Sequence, residues 1–307
     1  MPSPAGGAGR YAPSPSGELH LGNLRTALLA WLFARTTGRR FVLRIDDLDR
    51  VRPGAAERQL DDLAAIGIDW DGPVLRQSGR LPAYATAIDE LTDAGRTYEC
   101  FCTRREIQQA ATAPHAPMGA YPGTCRELTD AQRAARRAEG RSPALRLRAE
   151  VDDYEITDLC HGRYRGAVDD LVLRRGDGIP AYNLTVVIDD AAQGVDQVVR
   201  GDDLLASTPR QAYLGELLEI PAPTYAHVPL VLNGEGKRLA KRDGAVSLSD
   251  QRALGNTPED VVSAIAGSLG YTARTTAELR EVFDPARVPE KPWILEPIGL
   301  FQPDRCP

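Results

Sequence analysis

The stretch "YAPSPSGELHLGN" brings together residue types that suit phosphate chemistry. Its prolines stiffen a turn, and His20, Gly22 and Asn23 then stand at the start of an amphipathic helical pattern that Gly38 stops. Small residues let a nucleotide approach the backbone, and the free amide groups of a helix N-terminus attract phosphate. An imidazole there could donate a hydrogen bond to a phosphate oxygen that gains charge during a reaction. The alternative is a histidine that only caps the helix or packs beside it.

A second candidate for phosphate binding lies far downstream, in "LNGEGKRLAKRDGAVSL". Residues 237–242, called the cationic loop below, include Lys237, Arg238, Lys241 and Arg242 and are bounded by glycines. Such a run of charges on a surface loop is usually solvated, but this one follows a predicted buried strand. Because the end of that strand should open on a ligand crevice, these cations could clamp a triphosphate.

Two charged residues directly follow predicted strands. Asp46 comes after "FVLRI", and Arg200 comes after "VDQVV". Ligands of an open parallel sheet bind at the carboxyl ends of its strands, so both side chains are predicted to face the crevice. Surface ion pairs are the alternative, because charged residues commonly resume where a strand ends.

Three cysteines and a tyrosine in the middle of the chain have the spacing of a metal site. "CFC" holds Cys100 and Cys102, and "YPGTC" holds Tyr121 and Cys125. Cysteines two positions apart bridge poorly to each other, whereas both sulfurs can bind one metal ion, and three thiolates need a fourth ligand to close a structural zinc site. On chemistry alone His115 is the better fourth ligand, since a phenol ionises only near about pH 10. Reduced cysteines without a metal are the alternative.

The elements that would position these residues indicate an α/β fold with a parallel sheet. A strand–helix alternation runs from the N-terminus, breaks after Gly95 and resumes near Leu184. We therefore expect two halves of one α/β domain around an inserted subdomain. The predicted strands are "RRFVLRI" from Arg39, "LTVVID" from Leu184, "VDQVVR" from Val195 and "HVPLVLN" from His227, and the predicted helices lie after His20, near 55–66, 83–94 and 209–218, and in "TPEDVVSAIAGSLG".

This pattern divides the chain into four predicted segments. Residues 1–96 and 181–245 would form the two halves of the catalytic domain, and residues 97–180 the inserted subdomain with the candidate metal site. Residues 246–307 would form a short helical C-terminal segment, which is too short for a typical further domain of about 100–150 residues.

Composition and charge exclude several classes of protein. The chain of 307 residues is 42% apolar and 26% charged, as globular proteins are, and no apolar run is long enough to span a membrane. A net charge of −6 argues against non-specific coating of nucleic acid, but residues 125–148 hold seven arginines, for which phosphate contact and a solvated helix face are equally expected. Five cysteines without an export signal predict a reducing cytoplasm, and Cys160 and Cys306 have no ligand set near them.

Taken in order, these blocks resemble the class I glutamyl-tRNA synthetases. "GRYAPSPSGELHLGN" is similar to their R-[FY]-A-P-S-P-[ST]-G…H-[IL]-G signature, and "KRLAKR" lies where their K-M-S-K-S loop belongs. "LRIDDLDR", "AYNLTVVIDD" and "VVRGDDLLASTPRQ" resemble the intervening blocks in the same order. The resemblance covers about residues 9–250 and implies the Rossmann-like catalytic domain of that family, with an inserted zinc-binding or acceptor subdomain.

The resemblance also implies a role for each matched position. Asp46 would hold the ammonium group of glutamate, and Tyr182 and Arg200 would read its side-chain carboxylate. The implied glutamate-binding residues are Arg10, Tyr11, Ala12, Pro13, Ser14, Asp46, Tyr182 and Arg200; the implied ATP-binding residues are His20, Gly22, Asn23, Arg238 and Lys241; and the implied catalytic residues are His20, Gly22 and Lys241.

Two regions depart from the family pattern. The family usually has glutamate where this chain has Asp46, one methylene shorter, so a bridging water or a tightened pocket would be needed. In the cationic loop Arg238 replaces the first lysine of K-M-S-K-S and Ala240 its serine, while Lys241 is retained.

The resemblance narrows to the truncated members of the family, the glutamyl-Q tRNA(Asp) synthetases. Their C-x-C…Y-x-x-x-C pattern favours Tyr121 over His115 as the fourth zinc ligand. A full glutamyl-tRNA synthetase has a large helical anticodon-binding domain after the signature loop, whereas only residues 243–307 follow the loop here. The implied reaction is tRNA-independent activation of L-glutamate with ATP and Mg²⁺, followed by transfer to queuosine at the wobble position of tRNA(Asp).

The expected protein is a monomeric cytoplasmic ligase whose arginine-rich stretch contacts the anticodon arm. Two alternatives stay open: a minimal glutamyl-tRNA synthetase that charges the tRNA 3′ end, and a catalytically retired paralogue that only binds RNA or a partner protein. Retention of His20, Gly22, Lys241 and Arg200 speaks against the second, since a binding module has no reason to keep the ATP residues.

Overall fold

The computed structural model describes residues 6–103, 105–107, 121–239, 244 and 246–295. The strands of these ranges are β1 (Ala8–Tyr11), β2 (Arg40–Ile45), β3 (Leu75–Arg76), β4 (Thr97–Cys100), β5 (Ala144–Leu147), β6 (Asp153–Asp158), β7 (Gly162–Ala167), β8 (Val172–Arg174), β9 (Val195–Gly201), β10 (Thr224–Val228), β11 (Val231–Asn233) and β12 (Trp293–Leu295). The helices are α1 (Leu21–Thr36), α2 (Ala55–Ala65), α3 (Leu81–Asp93), α4 (Asp130–Ala138), α5 (Tyr182–Ala192), α6 (Thr208–Leu217), α7 (Leu248–Ala253), α8 (Pro258–Ser268) and α9 (Thr276–Val282), with 3₁₀ turns at Gln77–Arg80, Asp202–Ser207 and Pro285–Arg287.

A seven-stranded sheet forms the centre of the fold, in the order β3-β2-β1-β9-β10-β6-β7. Neighbouring strands pair in parallel except β6 and β7, which form an antiparallel hairpin at one edge. The inner strands are almost entirely buried, as β2 is from Phe41 to Ile45, because both faces of the sheet are covered. The predicted α/β class with a parallel sheet is confirmed.

Helix α1 packs against β1 and β9 and is buried on nearly all sides. The sequence predicted an amphipathic helix here. The difference arises because the C-terminal helices supply a second apolar surface: Val261 and Ile265 of α8 and Leu279 of α9 belong to the same core cluster as α1. The segment that carries His20 at its start is therefore held from two sides.

The segment "LTVVID" belongs to helix α5, so the strand predicted there is wrong. Its β-branched residues suggested a strand, but Leu184, Val187 and Ile188 recur at the i, i+3, i+4 spacing of one helix face. That face packs in a core cluster with Tyr213 and Leu214 of α6. Burial against a neighbouring helix thus outweighs the local preference for a strand.

The other predicted elements are found with one change. Helices α1, α2, α3, α6 and α8 and strands β2 and β9 occupy the predicted positions. The segment "HVPLVLN" is not one strand, because β10 ends at Val228 and β11 begins at Val231, and Pro229 between them lacks the N–H that a strand ladder needs. Within the described ranges, no helix is both long and apolar enough to cross a membrane.

The stretch predicted as an insertion contributes to two sheets. Strands β4, β5 and β8 form a separate antiparallel sheet. The β6–β7 hairpin instead extends the central sheet, through a parallel bridge between Asp158 and Tyr225. The four-segment division of the chain stays a prediction, and this hairpin ties the second half of the catalytic domain to the inserted stretch.

Candidate active site

A cleft of about 490 Å³, called the main cleft below, opens at the carboxyl ends of β1, β2 and β9. It is lined by each residue predicted to bind glutamate or ATP that the structure describes, whereas Lys241 lies outside the described residues. These lining residues are Arg10, Tyr11, Ala12, Pro13, Ser14, His20, Gly22, Asn23, Asp46, Tyr182, Arg200 and Arg238. The fold therefore brings three distant parts of the sequence to one place, while the role of each residue stays a prediction.

His20 both caps helix α1 and lines the main cleft. Its Nδ1 accepts a hydrogen bond from the Asn23 backbone N–H at 3.2 Å, and the Asn23 side chain accepts one from the His20 backbone N–H at 3.2 Å. Because Nδ1 accepts, the proton of the neutral ring is on Nε2. Burial and the nearby Arg238 charge lower the pKa of His20, so the ring is neutral at pH 7. Helix cap and phosphate donor are thus compatible roles, one for each ring nitrogen.

A side chain at Gly22 would crowd this ring. A Cβ at Gly22 would lie 3.0 Å from two atoms of the His20 ring and 3.3 Å from the Cβ of Val231. Glycine therefore allows the imidazole to lie against the first turn of α1.

The turn before α1 is braced by α2 and by the end of β2. Gln59 donates through Nε2 to the carbonyl of Ser14 at 3.1 Å and to that of Gly17 at 2.7 Å. The backbone N–H of Asp46 donates to the Pro13 carbonyl at 3.0 Å. These bonds hold the backbone where a nucleotide would have to approach it.

Arg10, Arg44, Asp46 and Asp190 form a buried network of alternating charges beside the cleft. Arg44 donates from Nε to Asp46 at 2.7 Å and from Nη1 to Asp190 at 2.6 Å, and Arg10 Nε lies 3.3 Å from both Asp190 oxygens. Burial alone would lower the pKa of Arg44, but the two carboxylates raise it. Burial would raise the pKa of Asp190, but Arg10 and Arg44 lower it; at Asp46 burial prevails and raises the pKa.

Arg200 is buried almost as deeply, at 5% exposure, but its partners are neutral. Its Nε donates to His227 Nε2 at 3.1 Å, and its Nη2 donates to the Thr208 hydroxyl at 2.9 Å and to the Gln211 carbonyl at 2.7 Å. No carboxylate of the described residues forms an ion pair with it. Burial lowers the pKa of Arg200, and a buried guanidinium without an anion is unfavourable unless a ligand supplies one.

The described part of the cationic loop borders the main cleft. Arg238 lines the cleft and forms an ion pair with Asp203. Beyond the loop, the Val246 carbonyl accepts a hydrogen bond from the Leu21 N–H at 2.7 Å. The segment that leaves the loop is therefore bonded to the first residue of α1.

A larger cavity of about 870 Å³, called the adjoining cavity, opens next to the main cleft. The two share Ser14, Asp46, Arg50 and Tyr182. The adjoining cavity runs towards the inserted stretch, where its lining includes Cys102, Arg146, Asp169, Arg175 and Asp177. A second molecule can thus approach the site from the side of the inserted stretch.

Three cysteine sulfurs and a tyrosine hydroxyl converge at the base of the inserted stretch. The sulfurs of Cys100, Cys102 and Cys125 lie within 4.8 Å of one another. The Tyr121 hydroxyl lies 3.3 Å from the first of them and 3.8 Å from the second. Tetrahedral zinc separates its sulfur ligands by about 3.8 Å, so the set fits such a metal ion. The other predicted ligand, His115, lies outside the described residues.

The arginine-rich stretch at residues 125–148 is extensively paired with carboxylates. Six of its arginines form ion pairs: Arg126 with Asp170, Arg133 with Asp130, Arg136 with Glu139, Arg137 with Glu99, Arg141 with Glu106 and Arg148 with Glu127. RNA contact by this stretch stays a prediction, and at these six arginines it would compete with an intramolecular carboxylate.

Four residues of this region were not predicted from the sequence: Arg44, Asp190, His227 and Asp158. Arg44 had a readable signal, because it lies in β2 two positions before Asp46, which directly follows the strand, and an extended chain places such residues on the same side. The sequence holds no such signal for Asp190, since its partner Arg44 is 146 residues away. His227 and Asp158, 69 residues apart, also meet only through the sheet.

Comparison with known proteins gives the family. A profile described as tRNA synthetases class I (E and Q), catalytic domain, matches residues 8–291. A glutamyl-Q tRNA(Asp) synthetase from Nocardia farcinica (strain IFM 10152) is 71% identical and covers 98% of this chain and 97% of that protein. One from Cutibacterium acnes (strain DSM 16379 / KPA171202) is 56% identical and covers 91% of this chain and 78% of that protein.

Two solved structures of similar fold are glutamate-tRNA synthetases. The one from Elizabethkingia anophelis has a TM-score of 0.81 and 29% identity over 94% of this chain and 68% of that chain. A glutamate tRNA ligase from Elizabethkingia meningosepticum CCUG26117, in complex with its amino acid, has a TM-score of 0.78 and 29% identity over 92% of this chain, which spans 65% of the ligase. The predicted family and fold class are confirmed. The chain belongs to the class I (E and Q) tRNA synthetase family and, within it, to the glutamyl-Q tRNA(Asp) synthetases.

Proposed function

We propose that the protein uses ATP to activate L-glutamate as glutamyl-adenylate, without tRNA, and then transfers the glutamyl group to queuosine at the wobble position of tRNA(Asp). The observation that carries the proposal is the buried Arg200 guanidinium, which lines the main cleft and has only neutral partners among the described residues. The 71% identity to a glutamyl-Q tRNA(Asp) synthetase over 98% of the chain supports the acceptor.

Glutamate would lie with its side chain towards Arg200 and its ammonium group at Asp46. A guanidinium and a carboxylate form paired, charge-assisted hydrogen bonds, and no described residue accepts from Arg200 Nη1. Arg44 engages Oδ1 of Asp46, which leaves Oδ2 to face the ammonium group. Glutamine would leave the buried Arg200 charge unpaired, and this would disfavour it by about 2–5 kcal/mol.

Adenylate formation would depend on positioning and charge stabilisation, with no protein nucleophile. An oxygen of the α-carboxylate of glutamate attacks the α-phosphorus of ATP. The bond from this phosphorus to the oxygen that bridges it to the β-phosphate breaks, and pyrophosphate leaves. His20, through Nε2–H, and Lys241 would donate to phosphate oxygens as these gain charge. Mg²⁺ bound with ATP would offset part of the triphosphate charge.

The adjoining cavity would receive the acceptor nucleoside. A hydroxyl of the cyclopentenediol attacks the acyl carbonyl, AMP leaves with the bonding electrons, and the hydroxyl proton passes to solvent. Asp46 and Tyr182 line both cavities, so an acceptor there would reach the carbonyl of the bound adenylate.

We also propose that Cys100, Cys102, Tyr121 and Cys125 hold a structural zinc ion. Zinc would fix the start of the inserted stretch, and thiolate ligands require the reducing cytoplasm expected from the sequence. Metal analysis of Tyr121→Phe and His115→Ala tests the ligand set. Loss of zinc from Tyr121→Phe alone would support it, and loss from His115→Ala alone would contradict it.

Glutamate-dependent ATP–pyrophosphate exchange without RNA tests the activation step. We expect exchange with glutamate and at least about 30-fold less with glutamine, the equivalent of about 2 kcal/mol. No exchange in the presence of Mg²⁺ would contradict the proposal and leave a protein that only binds RNA or a partner.

The acceptor is tested separately with tRNA(Asp) prepared with and without queuosine. Transfer of labelled glutamate only to the queuosine-containing tRNA would support the proposal. Removal of the 3′-terminal adenosine from the tRNA leaves the cyclopentenediol intact and distinguishes the alternative, because charging that depends on an intact 3′ end would indicate a minimal glutamyl-tRNA synthetase instead.

A further inference from the structure

Behind Arg200 lies a buried pair, His227 and Asp158, that the proposed reaction does not use directly. Both side chains have zero exposure. His227 Nδ1 lies 2.6 Å from Asp158 Oδ2, and His227 Nε2 lies 3.1 Å from Arg200 Nε. The three groups therefore form a line from the end of β6, through β10, to the wall of the main cleft.

The protons of this line have one arrangement. A guanidinium nitrogen only donates, so His227 Nε2 has to accept from Arg200. The ring proton is then on Nδ1 and is donated to Asp158. Burial lowers the pKa of His227 although Asp158 works against it, which keeps the ring neutral, as acceptance at Nε2 requires.

Asp158 is itself held in place by the backbone. Its Oδ1 accepts from the N–H of Cys160 at 2.9 Å and of His161 at 3.1 Å, and its Oδ2 accepts from the N–H of His227 at 3.0 Å. With both oxygens engaged, the carboxylate cannot turn, and the tautomer of His227 is set by the backbone of the β6–β7 turn and of β10.

We propose that His227 and Asp158 are positioning residues that aim the Arg200 guanidinium at the side-chain carboxylate of the amino-acid substrate. The inference rests on the proposed function. A carboxylate placed directly on Arg200 would compete with the substrate, whereas a neutral imidazole orients Nε and leaves the positive charge to the ligand. Asp158 orients the ring from the far side without touching Arg200.

Asp158→Asn is the sharpest change, because it preserves size and removes one acceptor. With Oδ1 still facing the two N–H groups of the turn, the amide NH₂ faces His227 Nδ1, and the ring has to carry its proton on Nε2. That proton opposes the donor of Arg200 and turns instead to the Thr208 hydroxyl, which lies 2.9 Å from Nε2. We expect the glutamate KM in pyrophosphate exchange to rise at least tenfold, with the ATP KM unchanged within twofold. Nitrogen NMR should show that the ring proton moves from Nδ1 to Nε2.

Further variants distinguish a loss of Arg200 orientation from a general loss of folding stability. His227→Gln retains an acceptor and should keep more glutamate affinity than His227→Phe, which has none. Asp170→Asn is the matched control, since Asp170 is also buried and accepts from Tyr98 and Arg126, away from the main cleft. Its glutamate KM should stay that of the wild type.

The outcomes are distinguishable. An active wild type with a folded Asp158→Asn variant of unchanged glutamate KM would overturn the inference alone. Equal rises in the KM of glutamate and ATP would also overturn it, because they would indicate general loosening of the fold. A wild type without any glutamate-dependent exchange would overturn the proposed function, and this inference with it.

Discussion

Two buried arginines at the same site have opposite surroundings. Arg44 has zero exposure and donates hydrogen bonds to two carboxylates, Asp46 and Asp190, which raise its pKa although burial alone would lower it. A third carboxylate, that of Asp189, lies 3.9 Å from its Nε. Arg200 is 5% exposed and touches an imidazole, a hydroxyl and an amide, and burial lowers its pKa. One charge is satisfied within the chain, and the other is not.

The difference distinguishes the residues that shape the site, around Arg44, from Arg200, the residue that we propose to bind the ligand. The network around Arg44 is neutral as a set, so it can be buried and can hold Asp46 in position without a substrate. Arg200 is held in place by neutral groups, and its charge is available for the substrate carboxylate that we propose. A search for binding residues should therefore look for a buried charge whose partners are all neutral.

The largest effect on stability is expected when Arg44, the arginine with carboxylate partners, loses its charge. Arg44→Met leaves Asp46 and Asp190 short of a buried partner, so the free energy of unfolding should fall by about 3–5 kcal/mol in urea denaturation. The exposed pair Arg76 and Glu57 gives the control, because Arg76→Met should change stability by less than about 1 kcal/mol. Equal losses in the two variants would contradict the structural role of Arg44.

The next largest effect is expected on glutamate activation, when Arg200 loses its charge. Arg200→Met should lower kcat/KM for glutamate by about 30- to 5,000-fold, the equivalent of about 2–5 kcal/mol, because the substrate carboxylate loses its partner. Its melting temperature should not fall, since the change removes a buried charge that has no anion. The kcat/KM of Arg200→Lys, which has one point charge instead of a planar fork, should lie between those of the wild type and Arg200→Met. A variant that loses stability as Arg44→Met does would contradict the contrast.

A smaller effect on the rate is expected at Lys241, a cation for which the family resemblance implies ATP binding. Lys241→Ala should slow adenylate formation by about 10- to 150-fold, or about 1.5–3 kcal/mol, because one charged contact to the triphosphate is lost. Glutamate binding, which depends on Arg200, should be unaffected. An unchanged pyrophosphate-exchange rate would refute the assignment of Lys241.

The smallest effect concerns pH. Burial lowers the pKa of both His20 and His227 below about 6.5, so the unfolded chain binds these protons more tightly than the folded one. Stability is therefore complete above about pH 6.5 and falls below it, by up to about 1.4 kcal/mol per pH unit for each histidine. Unfolding measured from about pH 7.5 to 5 should show this slope, and His227→Phe should make it shallower. The same slope in that variant would count against a buried neutral ring.

What the sequence predicted well is local. The turn from Ala12 to Gly17 and the start of α1 are one continuous stretch, so proline, glycine and histidine spacing describe them completely. Strand ends were readable for the same reason: Asp46 follows a buried apolar run, and the fold places it on the predicted crevice.

What the sequence could not predict depends on contacts between distant segments. Asp190 directly follows residues 184–189, whose β-branched side chains made them look like a strand, and packing against α6 makes the whole stretch a helix. The arginines of residues 125–148 looked free as a run of charges, but their carboxylate partners include Asp170 and Glu99, which only the sheet of the inserted stretch brings near.

The hydrogen bond from Leu21 to Val246 has a mechanical consequence. It joins the segment leaving the cationic loop to the peptide that follows His20, although the two stretches lie at opposite ends of the catalytic domain in sequence. A shift of that exit segment would therefore act on the support of the imidazole, so the two stretches that we propose to bind phosphate are physically coupled.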